Sequence, residues 1–444
     1  MNSNKITFGS VFTVGLMLFA LFLGAGNMIF PPLLGQQSGD SSWVAIAGFL
    51  LTGVGLPLLG VIAIAKSGGS PMDLASRVHP IFGIIFTIIL YLAIGPFFGI
   101  PRTATVSYEI GILPFLAQES AGGWTLLLFS ILFFAITAWL SLNPAKLVDR
   151  IGKILTPVLL VILAVLVGGA FINPMGEPGQ PVAGYADSPF ITGFLEGYLT
   201  LDAIAALVFA IVIISAIQNK GVTDRKQVVR AAIYAGLIAA SGLAAVYISL
   251  SYLGATSLNA VGVQGNGGAL LSASANYLYG SSGAVILGIA IGAACLTTSI
   301  GLVSATSSYF SRTFPNISYS KFVIVFSVFS MMIANIGLAQ LIAVSVPVLV
   351  MIYPMTIVLI ILSFLDKTIK GKQAVYVGAI IPTFVLGVSD GLAAAGFTAF
   401  ASAFSFLPLM DQSLGWIIPA IAGGVIGLFI PAGSGSTASV KTTN

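Results

Sequence analysis

The sequence predicts an all-helical integral membrane protein, and three observations carry that prediction. Charged side chains make up 7% of its 444 residues, whereas soluble domains carry about 25%. Hydrophobic residues reach 57% before the 51 glycines are counted, and mean hydropathy is +1.07, too apolar to coat a globule in water. The apolar runs are continuous over about 20 residues and do not alternate over ten, which selects helices over a barrel.

Windows of about 19 residues pick out twelve stretches: 8 to 36, 43 to 65, 80 to 108, 124 to 142, 152 to 173, 190 to 217, 228 to 254, 282 to 310, 320 to 337, 339 to 364, 374 to 397 and 414 to 431. The first run is too long for a signal-peptide core and lacks a small-residue cleavage site before a hydrophilic chain, so it reads as a retained span. Two spans nearly touch at Gly337, and residues 397 to 409 read as a span end or an interfacial segment.

Twelve spans place Lys5, Lys66, Arg77, Lys146, Arg150, Lys153, Lys220, Arg225, Lys226, Arg230, Arg312, Lys321, Lys367, Lys370, Lys372 and Lys441 on one side. Arg102 alone lies elsewhere. The opposite loops carry Asp40, Glu119, Glu177 and Asp187. The positive-inside rule then puts both termini in the cytoplasm. The basic residues form no nucleic-acid patch. The one cysteine, Cys295, and the one histidine, His79, give neither a disulfide framework nor a Cys/His metal site.

The first span contains Gly24-Ala25-Gly26-Asn27 and then Pro31-Pro32, a combination that disfavours an unbroken helix. In the third span, TATVSY at 103 to 108 matches SATSSY at 304 to 309 of the eighth, which runs the other way; Tyr108 and Tyr309 should therefore lie at opposite membrane faces. The fifth and tenth spans share a proline followed by branched residues, TPVLLVIL at 156 to 163 and VPVLVMIY at 346 to 353. These matches predict an inverted five-plus-five repeat, about 8 to 173 and about 190 to 364. The sixth span, equivalent to the first, carries Glu196-Gly197-Tyr198-Leu199-Thr200-Leu201-Asp202, two carboxylates around a glycine where lipid should be crossed. Close packing of small residues, or an interfacial position for Glu196 and Asp202, would account for these features separately. Two interruptions five spans apart point instead to a pair of discontinuous helices.

Such a pair presents free N–H groups and free carbonyls at the midplane, which suits a zwitterion. An amino acid's carboxylate would lie against Gly26, Asn27 and Met28, with Gly24, Ala25, Gly197, Tyr198 and Thr200 completing the site. The remaining lining is apolar, so the substrate side chain should be small and apolar. In the eighth span Cys295, Thr298 and Ser299 stand at i, i+3 and i+4, one carbonyl and two hydroxyls on one face, which with carbonyls of the broken first span suits sodium. Arg102 and Glu109 share a face of the third span; either they pair through a bridging group or Arg102 meets Glu196, as structural contacts or as a gate. Glu196 and Asp202 are also the residues that would carry protons under proton coupling. His79, beside Pro80, reads as interfacial, and Asp390 as a local cap or packing residue.

The segments GLMLFALFLGAGNMIFPPLLG at 15 to 35, EGYLTLDAIAAL at 196 to 207 and ACLTTSIGL at 294 to 302 resemble the branched-chain amino acid to cation symporters, the BrnQ-type carriers of bacteria. The resemblance covers essentially the whole chain. It implies uptake of leucine, isoleucine and valine driven by sodium, or by protons in some members, through the bacterial inner membrane. It also implies the LeuT-like fold of the amino acid/polyamine/organocation superfamily, with two peripheral helices at about 374 to 431 and a tail at 432 to 444. The sodium ligands of LeuT-like relatives correspond to the carbonyls of Ala20, Leu23 and Cys295 and the hydroxyls of Thr298 and Ser299. Asn27 resembles a residue that touches a second sodium in some relatives, although its spacing to Pro31 differs by one. No catalytic constellation and no P-loop is present, so the expectation is a transporter, not an enzyme, with sodium as coupling ion and no obligate protein partner. A proton-coupled symporter and a passive channel or facilitator are the alternatives.

Overall fold

The computed structural model describes residues 7–116, 123–142 and 147–431, with the side chains of 147–156 left undescribed. Lys5, Glu119, Lys146, Lys441 and the tail at 432 to 444 lie outside the described residues, and Arg150 and Lys153 among the undescribed side chains. A helix lies over each of the twelve apolar stretches. In chain order the helices are α1 (Phe8–Phe22), α2 (Ala25–Ser38), α3 (Ser42–Leu50), α4 (Leu56–Ser67), α5 (Pro71–Ala75), α6 (Pro80–Leu92), α7 (Gly99–Gly111), α8 (Gly123–Ser141), α9 (Leu147–Ile172) and α10 (Gly184–Asp187). Then follow α11 (Pro189–Glu196), α12 (Asp202–Gln218), α13 (Arg225–Ala255), α14 (Leu258–Val261), α15 (Gly267–Thr313), α16 (Tyr319–Ala334), α17 (Leu338–Leu365), α18 (Gln373–Ala394), α19 (Ala399–Ser402) and α20 (Ile417–Phe429). Among the described residues, seven helical stretches are long and apolar enough to cross a membrane, eight if the bent pair α11–α12 counts as one span; α1, α16, α20 and the Pro157–Ile172 part of α9 are shorter apolar helices.

Two crossings are broken. The first stops at Leu23 (ψ 73°) and restarts as α2 after Gly24, whose φ of −110° and ψ of −161° are extended. The sixth passes from α11 through a 3-10 turn at Gly197–Thr200 and a left-handed Leu201 (φ 68°) into α12, with a bend of 42°. The expectation for the first crossing needs one correction. Pro31 and Pro32 lie inside continuous α2 and do not break it; membrane helices tolerate proline because neighbours can satisfy the freed carbonyls. The third crossing, read from the sequence as uninterrupted, has a π-helical segment at Ala93–Phe97 in which Gly95 is non-helical, followed by Pro96.

The matched tyrosines behave as an inverted pair should. Tyr108 shares a hydrogen bond of 2.5 Å with Thr125 at the start of α8, while Tyr309 stacks at 4.0 Å on Tyr91, seventeen residues and about 25 Å back along the third crossing. Gly337, with φ of 87°, makes the turn between α16 and α17. Beyond the repeats, α18 and α20 pack together, with α18 also against α17, and residues 397–409 hold only the short α19 and turns.

Close backbone contacts fix the half-helices α2 and α11. A Cβ on Gly35 or Gly254 would overlap the carbonyl of Ser251 or Pro32, so α2 and α13 touch backbone to backbone. Gly48 and Gly193 do the same for α3 and α11, against the carbonyls of Phe190 and Ala45. With lipid outside there is no hydrophobic drive between helices, and such small-residue contacts supply the packing. Trp124 and Trp139, 79% and 71% exposed, stand at the two ends of α8 as interfacial anchors do.

The loops bearing basic residues gather on one face. Arg225 donates to the Lys66 carbonyl at 2.6 Å, Gln373 to that of Val78 at 2.8 Å, and Lys372 to that of Leu428 at 2.6 Å. Arg77 forms an ion pair with Asp366, to which Tyr376 also donates at 2.8 Å. Burial pulls the Arg77 guanidinium down, but Asp366 and Tyr376 more than offset it and hold the pKa above its ordinary value. His79 caps α6, its Nδ1 accepting from Ile81 N at 3.2 Å.

Candidate functional site

The two interruptions face each other around a small cavity of about 30 Å³, room for a water or two, so a larger ligand enters only as its lining moves apart. Gly24, Ala25, Gly26 and Asn27 line it from the first crossing, Thr200, Leu201 and Asp202 from the sixth, Arg102 and Thr103 from the third, and Thr298 from the eighth. Leu21, Phe22, Ile94, Ala205, Phe209 and Leu302 supply the apolar wall.

At the first break Gly24 N donates to Phe22 O at 2.6 Å and to Asn27 Oδ1 at 3.2 Å. In an unbroken helix that N–H would serve the Ala20 carbonyl, which is thereby freed. The Leu23 carbonyl stands just before Gly24, the residue that caps α2, and so has no place in its ladder. Thr298 comes up against this break: a Cβ on Gly24 would stand 3.0 Å from Thr298 Cγ2 and 3.2 Å from its Oγ1, a tight contact. The Thr298 hydroxyl is buried and has no hydrogen-bond partner. Cys295 and Ser299 are fully buried on the same helix, and Ser299 Oγ accepts from Thr137 at 3.4 Å.

At the second break Thr200 Oγ1 donates to Gly197 O at 2.9 Å and accepts from Asp202 N at 3.3 Å, which closes the turn on itself. Asp202 is the first residue of α12, where the positive end of the helix favours a carboxylate. Its Oδ2 accepts from Asn27 Nδ2 at 2.5 Å and from Tyr247 OH at 2.8 Å, and Asn27 also reaches Tyr247. Tyr198 is turned away and stacks on Tyr353 at 4.3 Å.

Arg102 does not pair with either expected carboxylate. It is 1% exposed; Nη1 donates to Leu199 O and Nη2 to Ser345 Oγ at 3.1 Å, with the guanidinium 5.4 Å from the Phe30 ring. Among the described residues the recorded ion pair is Arg77–Asp366. Glu109 lies instead against Gly268 at the start of α15, and Glu196, half-buried at the end of α11, does not line the cavity. Met28, Gly197 and Tyr198 are buried beside the site without lining it, and Ala20, Leu23, Cys295 and Ser299 lie behind Thr298 and the first break. Tyr247, Ser345 and Tyr353 were not singled out by sequence. Each is a hydroxyl in an apolar run, and only the fold brings it to its partner.

A second, open vestibule of about 1100 Å³ rises from the basic face, lined by Lys220, Arg312 and Asn219 and by Ser304, Ser308 and Tyr309 along α15. Leu21 and Phe209 line both hollows and form the partition between them. Arg102, which does not line the vestibule, ties the third crossing to Leu199 of the sixth and Ser345 of the tenth, and the Tyr198–Tyr353 stack joins the same sixth and tenth crossings.

Comparison with known proteins gives the family and the fold. Residues 8–433 match the profile of the family described as branched-chain amino acid transport protein. The chain is 53% identical over 419 residues to the branched-chain amino acid permease BraB of Bacillus subtilis, covering 93% of this chain and 94% of that one. It is 39% identical over 419 residues to the branched-chain amino acid permease BrnQ of Escherichia coli K12, covering 94% of each. Among solved structures it resembles Mhp1, a nucleobase-cation-symport-1 family transporter in a closed conformation with bromovinylhydantoin bound (TM-score 0.61, 14% identity, 94% of this chain and 91% of that chain). It also resembles MhsT in complex with L-phenylalanine (TM-score 0.52, 18% identity, 94% and 98%). At these identities the likeness is one of fold: the LeuT-like arrangement with broken first and sixth crossings.

Proposed function

The chain belongs to the branched-chain amino acid transport protein family, and we propose that it is a secondary transporter carrying leucine, isoleucine and valine inward with sodium by alternating access about its first and sixth crossings. The observation that carries the sodium assignment is the unpartnered Thr298 hydroxyl set against the break at Gly24, beside the freed carbonyls of Ala20 and Leu23. Neutral oxygens converging from a half-helix end and a hydroxyl-bearing helix suit a monovalent cation. Cys295 O and Ser299 Oγ would complete the set. The apolar wall of Leu21, Phe22, Ile94, Ala205, Phe209 and Leu302 suits an aliphatic side chain.

The basic face is taken as cytoplasmic, by the positive-inside rule, in a bacterial inner membrane with both termini inside. The vestibule then makes this an inward-facing state. The contacts by which Arg102 and the Tyr198–Tyr353 pair tie the sixth crossing to the third and tenth favour a carrier over a channel, which would need a continuous polar path. Asp202, a buried carboxylate on the cavity wall, favours one second reading, proton coupling. Leucine uptake into liposomes bearing the purified protein tests both. Replacing external sodium with choline at constant pH should abolish concentrative uptake. Undiminished uptake would overturn sodium coupling, and uptake driven by a proton gradient alone would establish the second reading.

A further inference from the structure

The guanidinium of Arg102 has no counter-charge in this core. It is buried, no carboxylate among the described residues lies within ion-pair distance, and its two Nη bonds go to neutral acceptors, the Leu199 carbonyl and the Ser345 hydroxyl. Its Nε–H is buried and donates to nothing. An unpaired cation in a membrane core costs several kcal/mol, and a glutamine amide could serve Leu199 and Ser345 without that cost. The arrangement calls for an anion.

The position of the fork indicates which anion. Arg102 lines the cavity beside the first turn of α2. Gly26 in that turn packs so near the Leu199 carbonyl that a Cβ on it would stand 3.4 Å from the oxygen, and the same oxygen takes the Nη1 bond of Arg102. Fork and helix end therefore meet around one point. The N–H groups of Ala25 and Gly26 have no carbonyl partner within α2, a helix of 14 residues whose amino end is its positive end.

We propose that Arg102 anchors the α-carboxylate of the transported amino acid, together with the first-turn amides of α2; this rests on the reading of the cavity as the substrate site. A carboxylate bonds this fork more strongly than a peptide carbonyl does. Occupancy therefore draws Arg102 from Leu199 and loosens its hold on the sixth crossing, so the anchor is also the contact that binding releases.

The test measures inhibition of labelled leucine uptake, and thermal stabilisation of the detergent-purified full-length protein, by leucine and by leucinamide, which keeps the ammonium and side chain but lacks the carboxylate. In the wild type leucinamide should be weaker by at least about a hundredfold. In Arg102→Gln, leucine should fall to within a few-fold of leucinamide. Arg102→Lys keeps a charge but loses the fork and should lose about tenfold for leucine with leucinamide unchanged. A wild-type ratio retained in either variant overturns the proposal, and Arg102→Lys decides if Arg102→Gln does not elute as a folded protein. Chloride is the other anion of matching chemistry. Wild-type leucine affinity that falls when gluconate replaces chloride, in a background where Arg102→Gln keeps its leucine preference, assigns the fork to chloride and also overturns it. A wild type that binds neither leucine, isoleucine nor valine removes the transport reading itself, a failure distinct from a variant that keeps its discrimination.

Discussion

Asn27 on the first crossing donates to Asp202 on the sixth at 2.5 Å, so the two interrupted helices are joined side chain to side chain where both are unwound. The amide orientation follows from its other end: Asn27 Oδ1 accepts from Gly24 N at 3.2 Å, which leaves Nδ2 to face the carboxylate. Asp202 has no ion-pair partner. Two donors and the amino end of α12 hold its side chain instead. The same side chain thus caps one break and ties it to the other, and either half-crossing that moves must take the link along or break it.

Asp202→Asn should therefore damage transport far more than its isosteric size suggests. The amide oxygen can still accept from both Asn27 and Tyr247, which meet the same Oδ2, but it is the weaker acceptor and it puts an NH2 group where Oδ1 stood, at a cost of about 1 to 3 kcal/mol. Leucine uptake at subsaturating substrate should drop by about tenfold or more at matched protein level. Tyr247→Phe removes one donor and leaves Asn27 in place, so about 1 kcal/mol and a loss of a few-fold are expected. Equal uptake by wild type and Asp202→Asn would show that the link is dispensable.

The Thr298 hydroxyl has no protein partner to lose. Removing it should thus cost little stability, while a cation ligand would be missed. Thr298→Ala should raise the sodium concentration for half-maximal uptake by about tenfold, roughly one charge-assisted contact, and leave the melting temperature without ligand almost unchanged. Thr298→Ser should restore it. Ser299→Ala should shift the sodium dependence in the same direction. Sodium titrations of uptake in the three variants would reveal an unmoved midpoint if these hydroxyls are bystanders.

The span positions, the second interruption and the inverted tyrosines were legible because each leaves a one-dimensional mark: a run of about 20 apolar residues, a carboxylate pair astride Gly197, a repeated hexamer. The first break was legible at its glycines, beginning with Gly24, but not at its prolines. Pro31 and Pro32 read as breakers, yet they sit within α2, and the break falls at Leu23 and Gly24. Arg102 was visible as the one stray basic residue, but its partners were misassigned. Sequence suggests opposite charge, whereas the fold offers a main-chain carbonyl exposed only because the sixth crossing unwinds at Leu199. Tyr247 reached Asp202 through tertiary packing alone.

Backbone contact at Gly35 with Ser251 and at Gly254 with Pro32 leaves α2 no room to separate from α13 by a methyl's width without losing its seat. Gly254→Ala should destabilise the protein by about 1 to 3 kcal/mol, the usual cost of overpacking. The effect should appear as a lower melting temperature in detergent, with sodium dependence preserved in whatever protein survives. Gly292→Ala serves as the control, since nothing lies within 4 Å of a Cβ built there. Equal melting temperatures for both variants would mean the α2–α13 contact is slack.

The fully buried Cys295 gives a low background for labelling, and the vestibule supplies the positions. Ser308→Cys and Ala305→Cys, both lining it on α15, should react with a membrane-impermeant maleimide added to the basic face. With that face cytoplasmic, inside-out vesicles should label strongly and right-side-out vesicles hardly at all. Thr103→Cys lies beyond the partition of Leu21 and Phe209, buried in the small cavity, and should label slowly from either side. Sodium and leucine together should slow the vestibule positions further if loading favours the opposite opening, because a ligand shifts the equilibrium only toward the state it binds better. Faster labelling of Ser308→Cys from right-side-out vesicles would reverse the orientation. The charge bias of the loops would then have been set by something other than insertion.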